Sequence, residues 1–224
     1  MCGRYTLRTP AHVLAGSFNF SAQEEWQLAL RYNIAPTQTV PVVRQGETGR
    51  ELAIMRLGLI PSWAKDMKLA ATMINARAET VAEKPAFRTA FKRRRCLVPA
   101  DGYYEWQKID AKTKQPYYIH RHDDQSFAFA GLWERWDKGG ELVESCTIIT
   151  SEANDSTREI HDRSPVILDP SDFDMWLDPA FEGVDHLRTL LTPRQAAELV
   201  ATPVSTYVNS PKNIGPECIA PLAV

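Results

Sequence analysis

Apolar positions recur at strand spacing through the middle of the chain and at helix spacing nearer its ends. CGRYTL reads as a first strand. Thr9 followed by Pro10 is a cap and first-turn signal for a short helix through AHVLAGSF, and Ser21 to Tyr32 holds a further helical turn or two. ELAIMRL (Glu51 to Leu57) alternates as a half-buried strand does, until GLIPSW breaks it with Gly58 and Pro61. Glu83 to Arg95 predicts a helix, with Phe87 and Phe91 one turn apart and basic residues at its C-terminal end, where the helix dipole favours them. CLVPADGYYEW, PYYIHRH, SFAFAGLW and VESCTIITS follow, short aromatic and β-branched runs that predict a meander of strands. DPSDFDMWL and LTPRQAAELV then open on cap and proline signals as helices do, before a final strand-like VSTYV.

These elements predict an α+β fold. The expected form is a single compact domain over residues 1–224, built of twisted, mainly antiparallel β-sheets with peripheral helices, because the connections are too short for crossover helices. A length of 224 residues suits one well-buried core, and 44% apolar residues with six tryptophans match an ordinary globular protein. No apolar stretch reaches the roughly 20 residues that span a bilayer, and Arg4, Arg8 and His12 stand where a signal peptide needs its apolar segment, so an intracellular, cytoplasmic protein is expected. Without a secretory signal, the glycosylation sequon at Asn154 carries no meaning.

Charge and cysteine placement narrow the chemistry. A net charge of −2 gives no global signature of a nucleic-acid binder, so any such role needs a local patch. Cys2, Cys96, Cys146 and Cys218 lack zinc-cluster spacing. The last three sit in apolar contexts and read as packing residues. His120 and His122 share one strand face without a third ligand, which reads as a solvated strand end, so no metal or cofactor is expected. The basic run Lys92 to Arg95 reads as a solvated face rather than a phosphate site.

Four segments set polar groups among apolar ones: MCGRY, MINARAE, PADGYYEW and EIHDRSPVIL. Cys2 follows a methionine that cells remove ahead of small residues, leaving an N-terminal cysteine with both an amine and a thiol. Glu105 lies between Tyr104 and Trp106. A carboxyl so flanked is a candidate for a raised pKa and general acid work, although strand alternation alone sends such a residue to solvent. His161 has a carboxylate beside it in Asp162, but neighbouring strand residues face opposite ways, and taken alone it reads as structural or exposed.

Taken in order, MCGRY, RYNIAPTQ, GLIPSWAK, INARAET, CLVPADGYYEW, QPYYI, FAFAGLWE, TIITSEAN and IHDRSPVIL resemble the SOS-response-associated peptidase (SRAP) family. The resemblance runs from Cys2 to about Leu168 and continues weakly to VSTYVNSPKN. It implies a protein that crosslinks covalently to abasic sites in single-stranded DNA, at single–double-strand junctions among other places, with a lyase side reaction of the imine. Catalytic roles fall on Cys2, Asn75, Glu105 and His161. DNA-binding roles fall on Arg4, Trp63, Arg77 and Arg163, with Asn33 and Pro36 shaping the wall. Where the family often shows a tryptophan pair, Trp63 is followed by Ala64. Two other readings compete: a thiol peptidase with Cys2 as nucleophile and His161 as base, and a non-covalent single-strand binding module using Arg4, Arg77 and Trp63. Nothing in the sequence demands more than a monomer.

Overall fold

The computed structural model describes residues 2–21, 28–138, 140–192 and 199–222. In chain order the elements are β1 (Tyr5–Leu7), α1 (Ala11–Phe18), β2 (Arg31–Ile34), β3 (Thr39–Gln45), β4 (Arg50–Leu57), β5 (Asn75–Arg77), α2 (Arg88–Arg93), β6 (Arg95–Ala100) and β7 (Gly102–Lys108). They continue with β8 (Lys114–Arg121), β9 (Phe127–Lys138), β10 (Glu141–Glu152), β11 (Arg163–Pro165), β12 (Ile167–Leu168), α3 (Phe173–Leu177), α4 (Val184–Thr189) and β13 (Leu199–Pro203).

The long strands make a small closed barrel. Its order is β10–β4–β3–β6–β9, and β9 pairs back onto β10 to remove the open edge. β5 and β11 pair with β10 and β12 with β9, and the other five strands form an open sheet, β13–β8–β7–β1–β2, antiparallel throughout. One apolar core joins the two: Tyr5 and Tyr103 of the open sheet both pack edge-on against Phe129 of β9, with ring centroids 5.8 and 6.0 Å apart. The α+β expectation holds, with mainly antiparallel sheets and short peripheral helices in a single compact domain. The exceptions to antiparallel pairing are β4 and β5, each parallel to β10.

The run of strands in the middle is not a simple meander. At Asp101 the chain leaves the barrel after β6, forms the β7–β8 hairpin in the other sheet, and returns as β9 to pair with β6. Asp101 is buried because its carboxylate accepts the backbone N–H groups of Arg8 and Thr9 and the Thr9 hydroxyl, which locks the end of β1 to this corner. The Thr9 hydroxyl is therefore used here and not as a helix cap, and α1 starts after Pro10 without a side-chain cap. Gly102 opens β7 because any Cβ there would meet the Tyr118 ring at 2.5 Å. Gly58 has φ +120°, a conformation that favours glycine, and a side chain there would run into the carbonyl of Ala70.

Other expectations need correction. VSTYV is not a strand: Val204 makes a single bridge to Pro221, and Thr206–Asn209 form a 3-10 turn. The helix expected over Glu83–Arg95 shrinks to α2, with turns before it and β6 already begun at Arg95. Nor is Lys92–Arg95 wholly a solvated face. The Arg95 guanidinium is buried and donates to the carbonyls of Phe91, Lys92, Trp176, Asp178 and Phe181, which ties α2 to α3. Four of these carbonyls lie at the ends of α2 and α3, where they would otherwise lack partners, and that of Phe181 lies in the loop before α4. Burial lowers its pKa to about 10, so it stays charged at neutral pH. Part of the helical segments read in Ser21–Tyr32 and LTPRQAAELV lies outside the described residues; Arg31 onward is β2 and Leu199 onward is β13.

No helix among the described residues is long and apolar enough to cross a membrane. Cys96, Cys146 and Cys218 are buried and free, as their apolar contexts predict.

Candidate active site

Cys2 is buried at 1% exposure, two residues before the point where β1 joins β7 through a hydrogen bond from Tyr104 N–H to the Arg4 carbonyl. Asn75 on β5 reaches it from the barrel. Its Nδ2 donates to the Cys2 carbonyl at 3.0 Å and to the Ile148 carbonyl at 3.3 Å. The parallel pairing of β5 with β10, Asn75 opposite Ile148, fixes where that amide points. Burial raises the Cys2 thiol well above its usual pKa, and the carboxyl of Glu105 adds to the effect. At rest the sulfur carries its proton.

Glu105 is 3% exposed, contrary to the solvent-facing alternative. Alternation misleads here because β7 is covered on both faces, with Tyr103, Tyr104 and Glu105 all buried. Burial lifts the carboxyl to about 7 against the pull of the amino-terminal charge, so both acid and base forms are populated near neutrality.

His161 comes from a third direction, at the end of a run of turns after Ala153 and not on a strand. Its Nε2 lies 4.0 Å from Glu105 Oε2. The Arg163 backbone N–H donates to Nδ1 at 3.0 Å, while an Asp162 carboxylate oxygen also stands 3.0 Å from Nδ1. The two contacts ask for opposite protonation of that nitrogen. Burial and the amino-terminal charge lower the His161 pKa, which favours the neutral ring.

Beside this corner opens a cleft of about 270 Å³, lined by Thr72, Met73, Asn75, Arg77, Lys84, Ala86, Phe87, Thr150 and Arg163. Asn75 and Arg77 project into it together because they are two apart on β5. Arg163 is held in place by a bidentate pair with Glu79 at 2.6 and 3.0 Å and by the Thr150 carbonyl at 2.6 Å. Lys84, which sequence reasoning did not single out, adds a third cation to the lining; a lone lysine in a run of turns carries no pattern by which to find it.

Two expected DNA contacts lie elsewhere. Arg4 does not line the cleft. Its guanidinium donates to Asn33 Oδ1 at 2.9 Å and to the Val208 carbonyl at 2.5 Å, and sits 6.0 Å from the Trp106 ring centroid. With Asn33 Nδ2 bonded to the Val208, Ser210 and Asn213 carbonyls, the pair straps the C-terminal segment onto the open sheet. Trp63 is 54% exposed on the loop after Gly58, while Ala64 is buried against Ile60, Ala70 and Trp136. Trp136 Nε1 donates to the Ala64 carbonyl at 2.9 Å. Position 64 thus faces inward and offers no second stacking surface. Among the described residues no group of three or more His, Cys, Asp or Glu could hold a metal ion.

A buried cysteine at position 2, set against a carboxyl, an amide and an imidazole with a basic cleft alongside, defines a class of protein built for nucleophilic chemistry beside an anionic ligand. The chain belongs to the SOS response associated peptidase (SRAP) family, whose model matches residues 1–211. It is 43% identical over 221 residues to the abasic site processing protein YoqW of Bacillus subtilis, covering 98% of this chain and 99% of that protein. It is 34% identical over 221 residues to the abasic site processing protein HMCES of Xenopus tropicalis, covering 84% of this chain and 65% of that one. A solved structure of a protein from Bacteroides thetaiotaomicron superposes with a TM-score of 0.89 at 28% identity, covering 99% of this chain and all of that one.

Proposed function

We propose that this protein, once Met1 is removed, processes abasic sites in single-stranded DNA by forming a thiazolidine crosslink through Cys2. The observation that carries the reading is the meeting of Cys2, Asn75, Glu105 and His161 from four separate segments at one corner, beside a cleft bearing three cations. The relatives named as abasic site processing proteins supply the substrate class.

The chemistry follows from the protonation states. An abasic deoxyribose opens to an aldehyde, and Glu105 and His161 move the protons of ring opening. The free α-amine, with an ordinary pKa of about 8, is substantially neutral at physiological pH and attacks the aldehyde carbon. The resulting carbinolamine loses its hydroxyl as water, taking a proton from Glu105, to leave a protonated imine whose nitrogen keeps its hydrogen. The Cys2 thiol then adds across the C=N bond: sulfur bonds to the former aldehyde carbon, its proton passes to Glu105, and the imine nitrogen ends as a secondary amine. Glu105 returns to its starting state. Ring closure is intramolecular and gains a large effective molarity, with Asn75 holding the Cys2 carbonyl in register. A sulfur that rests protonated suits this amine-first order better than the thiolate attack a cysteine peptidase requires.

Arg77, Lys84 and Arg163 hold the phosphates beside the lesion, and Trp63 stacks on a neighbouring base. Intact mass and a denaturing gel after mixing with single-stranded DNA carrying one abasic site test the reading, with Cys2→Ala alongside. A heat-stable adduct from the wild type alone, lacking the methionine mass, is the expected result. A wild type that loses its methionine and still forms no adduct overturns it.

A further inference from the structure

The Gln107 side chain ties the run of turns that carries His161 to the strand that carries Glu105. Gln107 lies two residues beyond Glu105 on β7, on the same strand face, and Tyr117 sits opposite Glu105 on β8. Tyr117 OH donates to Gln107 Oε1 at 3.1 Å, which fixes the orientation of the amide. Gln107 Nε2 then donates to the Glu159 carbonyl at 3.0 Å. Glu159 belongs to the turns leading to His161, whose backbone N–H donates to the Thr157 carbonyl at 3.0 Å. At the front of the same run Asn154 Oδ1 accepts the hydroxyls of Ser156 and Thr157 at 3.2 and 3.0 Å. Thr157 Oγ1 also pairs with Ser164 Oγ at 2.9 Å, and the Ala153 N–H donates to the Asp162 carbonyl at 3.0 Å, while Gln107 links the far end of the run to the hairpin that holds Glu105.

We propose that Gln107 is a positioning residue, setting the 4.0 Å approach of His161 Nε2 to Glu105 Oε2 by donating to the Glu159 carbonyl. This rests on the crosslinking reading for its consequence, but the tether has a signature of its own. Held against the site, His161 is partly desolvated and faces the positive amino terminus and Lys114, which lower its pKa below the ordinary value against the opposing pull of Asp162, with Glu105 4.0 Å away. Cutting the tether lets the ring swing toward water, and its pKa returns upward.

Two variants separate donation from packing. Gln107→Met matches the length without a donor, and Gln107→Lys keeps a donor of similar reach. NMR titration of the His161 ring, which needs no DNA, should show the midpoint rising in Gln107→Met and staying closer to wild type in Gln107→Lys. If the wild type forms adducts, single-turnover crosslinking at saturating DNA should be about 10-fold slower in Gln107→Met, a fraction of what general acid–base catalysis contributes, with DNA affinity unchanged and Gln107→Lys near the wild-type rate. An unchanged His161 titration in Gln107→Met, or equal slowing in both variants, overturns the tether. A wild type that makes no adduct while the titration shifts as expected would instead overturn the crosslinking reading and leave the tether standing.

Discussion

The reacting corner and the cleft beside it share Asn75 and little else. In the corner, Cys2 and Glu105 are buried, and burial drives both toward their uncharged forms. In the cleft stand Arg77, Lys84 and Arg163, the last held by Glu79 at a rim where water reaches. The contrast teaches that proton transfer and phosphate binding ask opposite things of the solvent. A general acid near pH 7 needs a carboxyl starved of water, while phosphate binding by charge needs side chains that remain ionised before the ligand arrives.

The sharpest way to break the comparison is Glu105→Gln. Crosslinking should fall by about 10²–10⁴-fold with DNA affinity retained, measured as adduct formation at saturating DNA. The wild-type pH–rate profile should be bell-shaped, limited on the acid side by the amine and on the alkaline side by loss of the Glu105 proton around pH 7, and the alkaline limb should vanish in the variant. Stability should move the other way. A carboxyl whose folded pKa lies above its unfolded value favours the fold below the unfolded pKa, and that contribution is lost as pH rises through about 7. Glu105→Gln should therefore be more stable to unfolding than wild type at pH 8, by on the order of 1–3 kcal/mol, and the gain should shrink at pH 5.

Asn75→Ala comes next. It frees the Cys2 carbonyl and should slow crosslinking by about 100-fold, the scale of a 1 Å misplacement of a reacting group, with far-UV dichroism unchanged. Trp63→Ala, on the exposed loop, should weaken DNA binding by about 10-fold, the scale of one lost base-stacking contact, and leave the rate at saturation alone. Smallest is Lys84→Ala, expected to lower the slope of log affinity against log salt by about 0.7, as for one lost phosphate contact on a single strand.

How much of this was legible in the sequence depends on whether a residue acts through its neighbours in the chain or through distant ones. The strands β4, β7, β8, β9 and β10 could be read from alternation and β-branched runs because those signals are local. Barrel closure was not legible, since it depends on a two-residue parallel match between Arg56–Leu57 and Ser145–Cys146. Glu105 and His161 were weak candidates by spacing and gained their roles only from the family resemblance. Their meeting is made by β7 and by turns more than fifty residues later. Arg95 looked like one more surface cation because a sequence does not show four carbonyls waiting at helix ends and a fifth in a loop. Arg4 was read as a phosphate contact, yet its donors go to Asn33 and the C-terminal strap, partners 29 and more than 200 positions away.

The parallel closure of the barrel also sets an order of events during synthesis. β4 leaves the ribosome about ninety residues before the segment of β10 that pairs with it, which at 5–20 residues per second is about 5–20 s of waiting with one edge open. Cys2 emerges earlier still, well ahead of Glu105 and His161. Through that interval the nascent chain carries Cys2 with no acid, no amide clamp and no cleft beside it. On the proposed crosslinking reading, discrimination among aldehydes thus arrives with the last strands, as a property of the finished protein and not of Cys2 alone.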